Sequence, residues 1–490
     1  MEDTFAGRGG KSLGMALSDA AKLVTFRLMV AASIAILEVT DALLKVGFFA
    51  LKLFAAIARA AKGHAVEYEG GGAAQEGAGA GAGAAKKKKP TVLVVGASFA
   101  GLACTRALRR DFDVVLVDRR RYFEYTPGVL RLLVQPSYFG SLFARVDKAN
   151  KGVTFVQASC TSVLEDKLVV QGVEGSEREG ERWEIPFEYA VIGSGSVYGI
   201  LKPDAAEGQP AQRFKSWQRE AERLRDAASI AVIGGGPVGV ELAAEVAVRY
   251  PQKRIALVDS STSLCSPFAH EKSSSYVEGW LKKRGVELIL GEKCEPGGQG
   301  GGLMLSNGKR VEADVVYKCV GMRPDTGLLE NGPYAASRDA RGYAIVEESL
   351  QLKGGSGRVF CLGDAMTIEG SSHTRLGHTA EVQAKVVASN IERLDKGLTM
   401  CHYPKQTDAG ESNMYCISLG PTDASMRFGD AVVNGFFAAF VKWSVEWSKV
   451  AQAQDRLVGL LLWKLSDYVT SVTVDKDSQP LLPAIGHGAE

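Results

Sequence analysis

Residues 92–95, Val-Leu-Val-Val, form an uninterrupted apolar run that breaks at Gly96 and passes into a helical pattern from about Leu102 to Arg109. Such a run predicts a strand buried on both faces. The segment Asp-Val-Val-Leu-Val-Asp then gives a second strand ending in Asp118. The same order returns in IAVIGGGPVGVELAAEV, residues 230–246, followed by RIALVD ending in Asp259. EYAVIGSGS, ADVVYKCVGMRPDT and RVFCLGDAM are further apolar strands, each running into glycine, and TAEVQAKVVASNIERL after the last is helical. Strands alternating with helices predict an α/β fold built on parallel sheets.

The glycines bear on chemistry. Gly96 and Gly101 bracket a strand-to-helix turn, with Ser98 where a second glycine is usual, whereas Gly234, Gly236 and Gly239 give the complete G-x-G-x-x-G pattern followed by Glu241. The first glycine of such a turn permits the tight bend, and the last lets helix and strand pack closely. The unpaired N–H groups and positive dipole end of the helix favour a pyrophosphate. Asp118 and Asp259 end the next strand in each copy, where a carboxylate holds ribose hydroxyls. The acid at Asp259 also repels a 2′-phosphate, which favours NADH over NADPH. GASFAG has one residue too many for a nucleophile elbow, so no serine hydrolase is indicated.

In combination and order, GxSxxG, GSGS, GxGxxGxE, GMRP and CLGDA resemble the flavoproteins with two dinucleotide-binding domains: type II NADH dehydrogenases, apoptosis-inducing-factor-like proteins and pyridine nucleotide–disulfide reductases. ISLGPTDASMRFGD, residues 417–430, is most similar to the ferroptosis-suppressor-like branch. The resemblance implies two Rossmann-like domains, the first discontinuous. FAD-binding segments are expected at 91–215 and 323–398 and an NAD(P)H-binding segment at 216–322. A helical extension (1–69), a Gly/Ala-rich linker closed by four lysines (70–90) and an α+β C-terminal region (399–490) complete the chain. It further implies that FAD meets Gly96, Ser98, Gly101, Asp118, Arg119, Pro127, Ser194, Gly195, Gly363 and Asp364. NADH would meet Gly234, Gly236, Gly239, Glu241, Asp259, Gly321 and Pro324, with Glu241, Glu381 and Gln383 as neighbours of the isoalloxazine. The flavin ring carries the chemistry, and the protein orients it.

Cysteine usage narrows the acceptor. The eight cysteines include no C-x-x-C pair, and none falls between Asp118 and Ser159, where many of the disulfide reductases carry their redox pair. Cys104 reads as a packing residue. Electrons reaching the flavin therefore pass directly to an acceptor, which points to a quinone. A reductase of a protein or small soluble acceptor, and a slow structural or signalling subunit, are the alternatives. The scattered cysteines and histidines, His373 and His378 among them, indicate no metal site. A net charge of +2 with no basic stripe gives no case for nucleic acid.

At 46% hydrophobic content, 490 residues can bury more than one core, and both ends add amphipathic stretches. Between Val24 and Ala60 the charges Arg27, Glu38, Asp41, Lys45, Lys52 and Arg59 share an arc of roughly 60° on a helix. The longest charge-free run there, LMVAASIAIL, is short of the ~18 residues of a spanning helix. In 442–467, Lys442, Glu446, Lys449, Arg456, Lys464 and Asp467 share roughly 80°, with Asp455 outside and Phe436, Phe440, Trp443 and Trp447 elsewhere. Helices of this kind suit a membrane surface, the flavoprotein body or a partner subunit. The C-terminal one is expected to dip its aromatics into the bilayer. Glu2 and Asp3 argue against a secretory signal, and Glu2 against N-myristoylation. The enzyme class points first to the mitochondrion.

Overall fold

The computed structural model describes residues 18–43, 88–296 and 302–463, apart from residues 149, 205, 372–374 and 404–413. The linker 70–87, His373, Lys45, Lys52, Arg59, Lys464 and Asp467 lie outside the described residues.

The first apolar run forms a central strand, Thr91–Val95, whose Val92, Leu93 and Val94 are wholly buried. Its sheet runs in the order Val359–Cys361, Tyr189–Ile192, Thr91–Val95, Asp113–Asp118 and Thr154–Val163, all parallel. Lys167–Gly172 and Arg182–Pro186 then extend it as an antiparallel ribbon. Val359–Cys361 arrives from late in the chain, so the first nucleotide-binding fold is completed by a returning segment. A second sheet, Glu287–Leu290, Arg254–Asp259, Ser229–Ile233 and Val315–Lys318, is parallel throughout. Parallel strands need covered faces. Helix Phe99–Leu108 packs on the first sheet with Gly377–Asp395 against it, and Pro237–Arg249 packs on the second.

Two short pairings position the site. Ser196–Val197 pairs antiparallel with Arg323–Pro324, so the GSGS and GMRP segments meet where the two folds join. The strand Tyr122–Glu124, just before Pro127, is fixed by the buried Glu124, which accepts from Arg213 Nε at 3.0 Å and Trp217 Nε1 at 3.2 Å.

The C-terminal region is a meander of three antiparallel strands, Met414–Ser418, Ala424–Phe428 and Ala431–Asn434, running into helix Phe436–Ala453. That helix stops as Asp455 takes a positive φ of 57°, and a further helical segment covers 457–463. The charge that fell outside the predicted arc thus marks a real break. The N-terminal helix Ser18–Leu43 lies along the C-terminal one, with Phe26 edge-on to Phe436 at 5.7 Å between centroids.

Candidate functional site

Both glycine turns have one construction. Gly96 and Gly234 take positive φ values of 101° and 107° and donate to Val117 O and Val258 O at 2.9 and 2.8 Å. A Cβ on Gly101 would stand 1.7 Å from Gly96 O, and one on Gly239 would stand 1.9 Å from Gly234 O. Only glycine permits that approach. The acid ending the next strand grips each turn: Asp118 accepts from Ala97 N at 2.6 Å and Arg120 N at 2.8 Å, and Asp259 from Gly235 N and Ser261 N. The third strand repeats the match, since Gly193 N donates to Val95 O and Cys319 N to Ile233 O. Gly195 and Gly321, each two residues farther on, have φ values of 78° and 83°.

The turns fit dinucleotide pyrophosphates. Neither Ser98 nor Gly236, the N-caps of the two helices, makes a side-chain capping bond, and neither first turn carries an acid. The helix N–H groups therefore keep their donor capacity. Arg119 faces Asp325 at 3.7 Å, and Ser194 Oγ donates to Asp325 O. Gly363 N donates to Gln383 Oε1 at 2.8 Å, and Ser196 Oγ to Asp364 Oδ2 at 2.8 Å, so the GSGS, CLGDA and Glu381–Gln383 segments form one wall. Lys202 lies half-buried near Asp364, and loss of solvation lowers its pKa.

Pro127 and Glu241, one from each nucleotide-binding fold, line one small, partly open cavity together with Gly128, Ser418, Lys442 and Glu446. Three of those residues come from the C-terminal region. The charged stripe of helix Phe436–Ala453, expected to face water or headgroups, turns inward instead. Lys442 pairs with Glu241 and contacts Ser418 Oγ at 2.9 Å, Glu446 accepts from the Tyr138 hydroxyl, and Lys449 pairs with Glu381. The physical reason is complementarity. Glu241 and Glu381 are buried acids on two different helices, and a stripe with lysines seven residues apart supplies a counter-charge to each. Ser418 N adds a bond to Glu241 at 2.8 Å.

Burial raises the Glu446 pKa although Arg131, Tyr138 and Lys442 oppose it. For Lys442, burial lowers the pKa, but Glu241, Cys416 and Glu446 together outweigh it, and the net direction is up. Arg131 is itself paired with Glu245 at 3.2 Å.

The aromatics also differ from expectation. Trp443 is buried, and Phe436, Phe440 and Trp447 pack with it against Phe26, Val30 and Ile34 of the N-terminal helix. The C-terminal helix is a brace across the site, and deleting 431–490 would strip the counter-charges from Glu241 and Glu381. Cys104 is buried against Ala384 O and burial pushes its thiol pKa far up, as suits a packing residue.

Sequence reasoning missed Lys442, Glu446 and Lys449 as site residues. The available signal was their spacing in a single narrow stripe, on a chain with acids at Glu241 and Glu381 inside largely apolar helical segments.

Residues 90–384 match the pyridine nucleotide-disulphide oxidoreductase family. The chain belongs to that family. It is an NAD(P)H-dependent flavin oxidoreductase with the mixed α/β architecture of that class. Similar proteins include apoptosis-inducing factor homolog B of Dictyostelium discoideum, 24% identical over 71% of this chain and 92% of the relative. Ferroptosis suppressor protein 1 of Xenopus tropicalis is 25% identical over 74% of this chain and 97% of its own. Among solved structures, NDH2 from Plasmodium falciparum in complex with NADH superposes with a TM-score of 0.62 at 12% identity, covering 81% of this chain and all of that one. The sulfide:quinone oxidoreductase of Aquifex aeolicus gives 0.63 at 16% identity, covering 80% and 96%.

Proposed function

We propose that this flavoprotein is an NADH:quinone oxidoreductase with FAD in the first turn and NADH in the second. The observation that carries the reading is the shared cavity, where Pro127 of one nucleotide-binding fold faces Glu241 of the other beneath the C-terminal helix. The name of the sulfide:quinone oxidoreductase, whose fold is like this one, supports a quinone as acceptor, and the NADH complex of NDH2 supports NADH as donor.

Bound at Gly96, Ser98, Gly101, Asp118 and Gly363, FAD would supply hydride acceptance from NADH and two-electron release to the quinone. The overall reaction is NADH + H⁺ + quinone → NAD⁺ + hydroquinone. Asp118 and Asp259 keep acceptor capacity for ribose hydroxyls beyond the turn amides they hold. Lys442 keeps its charge and offsets negative charge developing on a quinone oxygen. Glu446, whose carboxylate would stand 2.6 Å from a Cβ on Gly128, holds its proton to higher pH than an ordinary carboxyl. It is placed to donate the second proton of the hydroquinone. Glu381 Oε2 is buried without a hydrogen-bond partner, and a flavin edge would satisfy it.

Purified protein should be yellow and release FAD on denaturation. Gly101→Val should lower flavin occupancy about tenfold or more, since the new Cβ strikes backbone. Gly140→Ala, where a Cβ meets nothing within 4 Å, should not. A colourless, folded wild-type chain would refute the cofactor assignment.

The carboxylate of Asp259 should also set nucleotide choice. Asp259→Ala should narrow the gap in kcat/KM between NADH and NADPH. Equal kcat/KM for the two in the unmutated enzyme would contradict this role.

A further inference from the structure

The N-terminal helix Ser18–Leu43 lies outside the family match and carries a face packed on the body, with apolar and ion-paired contacts, and an open, apolar one. Its inner face is fastened along its length. Asp19 pairs with Arg284 at 2.7 Å near the start, Phe26 packs on Phe436 and Trp443, and near the end Glu38 pairs with Arg456 at 2.8 Å while Asp41 accepts from Val458 N at 3.1 Å. Asp19 and Asp41 are roughly 33 Å apart along a helix. A helix anchored at both ends and the middle lies along the body and does not project from it.

The outer face is different. Val24, Leu28, Met29, Ile36, Val39 and Leu43 are each 38–66% exposed. At ~100° per residue they occupy an arc of about 140°, which contains no charged side chain. The exposed cation Lys22 lies on one side of that arc, and on the other lie the exposed cation Arg27 and Glu38, whose charge is offset by Arg456. Aliphatic surface of this extent, with an exposed cation on each side and the one bordering acid held by Arg456, matches acyl chains bounded by anionic headgroups.

Phe26 connects this surface to the chemistry. It lines the cavity holding Pro127, Glu241 and Glu446 from the same helix whose opposite face is bare. We propose that the N-terminal helix lies flat in the surface of a phospholipid bilayer and forms the wall between the bilayer and the acceptor cavity. A lipid-borne acceptor would then enter at the seam between this helix and Phe436–Ala453. The entry route rests on the quinone reading; the bilayer contact does not.

The test uses the full chain and vesicles of phosphatidylcholine and phosphatidylglycerol, with no acceptor present. The protein should float with the vesicles, and Leu28→Asp combined with Val39→Asp should lower partitioning at least tenfold. Turnover with a water-soluble acceptor should not change in that variant. A diazirine-bearing phosphatidylcholine should label the unmodified chain within residues 24–43, which keeps the proposal testable if the variant fails to fold. Wild-type protein that stays with the unbound fraction would overturn the proposal, as would equal flotation of the variant. Light scattering that shows a lipid-free dimer dissociated by the two substitutions would assign the face to a second copy. Flotation with no quinone reduction at all would sink the quinone reading and leave the bilayer contact standing.

Discussion

Glu446→Gln should slow quinone reduction by about 10²-fold while leaving flavin reduction by NADH nearly unchanged, a loss typical of removing a positioned general acid. Glutamine preserves shape and the bond to Tyr138 but brings no acidic proton. The acid is only 5% exposed, lines the cavity and is surrounded by Arg131, Tyr138, Lys442 and Glu245. Its raised pKa also fixes the sign of the pH dependence. The wild-type oxidative half-reaction should fall as pH rises through the folded pKa of Glu446, above the ordinary carboxyl range, and the variant should lack that limb. Between the unfolded and folded pKa values the folded state binds more protons, so this group's contribution to stability declines as pH rises. The stability of Glu446→Gln relative to wild type should therefore improve over the same window. Stopped-flow of the two half-reactions separates the effects. Equal losses in both would make Glu446 a structural residue.

Lys449→Met should destabilise the folded protein by about 3–5 kcal/mol, because it leaves Glu381 as an uncompensated buried charge. Lys449 and Glu381 are 3% and 5% exposed, so solvent screening offers little relief. Lys449 also lies 3.5 Å from the Trp463 ring centroid and donates to Gln452 Oε1 at 2.7 Å, contacts that bring the chain beyond Ala453 to the same point. Combining the change with Glu381→Gln should restore much of the loss, giving a coupling energy well above the noise of a double-mutant cycle. Urea unfolding of the four proteins measures it. A single-variant loss below about 1 kcal/mol, the range of exposed pairs, would mean the pair is not shielded as described.

Much of the architecture could be read from the chain because its physics is local. An apolar run between glycines forms a parallel strand wherever it sits, and a glycine whose Cβ would strike the preceding turn has no substitute. Gly101, Gly239, Asp118 and Asp259 were legible for that reason. The break at Asp455 was legible too, as a charge off the helical arc. The orientation of helix Phe436–Ala453 was not. A helix with one charged stripe satisfies it equally with water, with headgroups or with buried acids on other helices, and periodicity is the same in all three cases. Only the pairing of Lys442 with Glu241 and of Lys449 with Glu381, across more than two hundred and across sixty-eight residues of sequence respectively, decides among them. The aromatics followed the stripe, since Trp443 and Phe440 occupy the other side and are covered by the N-terminal helix.

Electron transfer from NADH through flavin to a quinone is followed in a single anaerobic experiment. The purified flavoprotein is mixed anaerobically with limiting NADH and excess short-chain quinone, and NAD⁺ and hydroquinone are quantified by chromatography. One hydroquinone should form per NADH consumed over many turnovers, with the flavin oxidised again when NADH is exhausted. A flavin that NADH reduces but quinone leaves reduced would contradict that transfer.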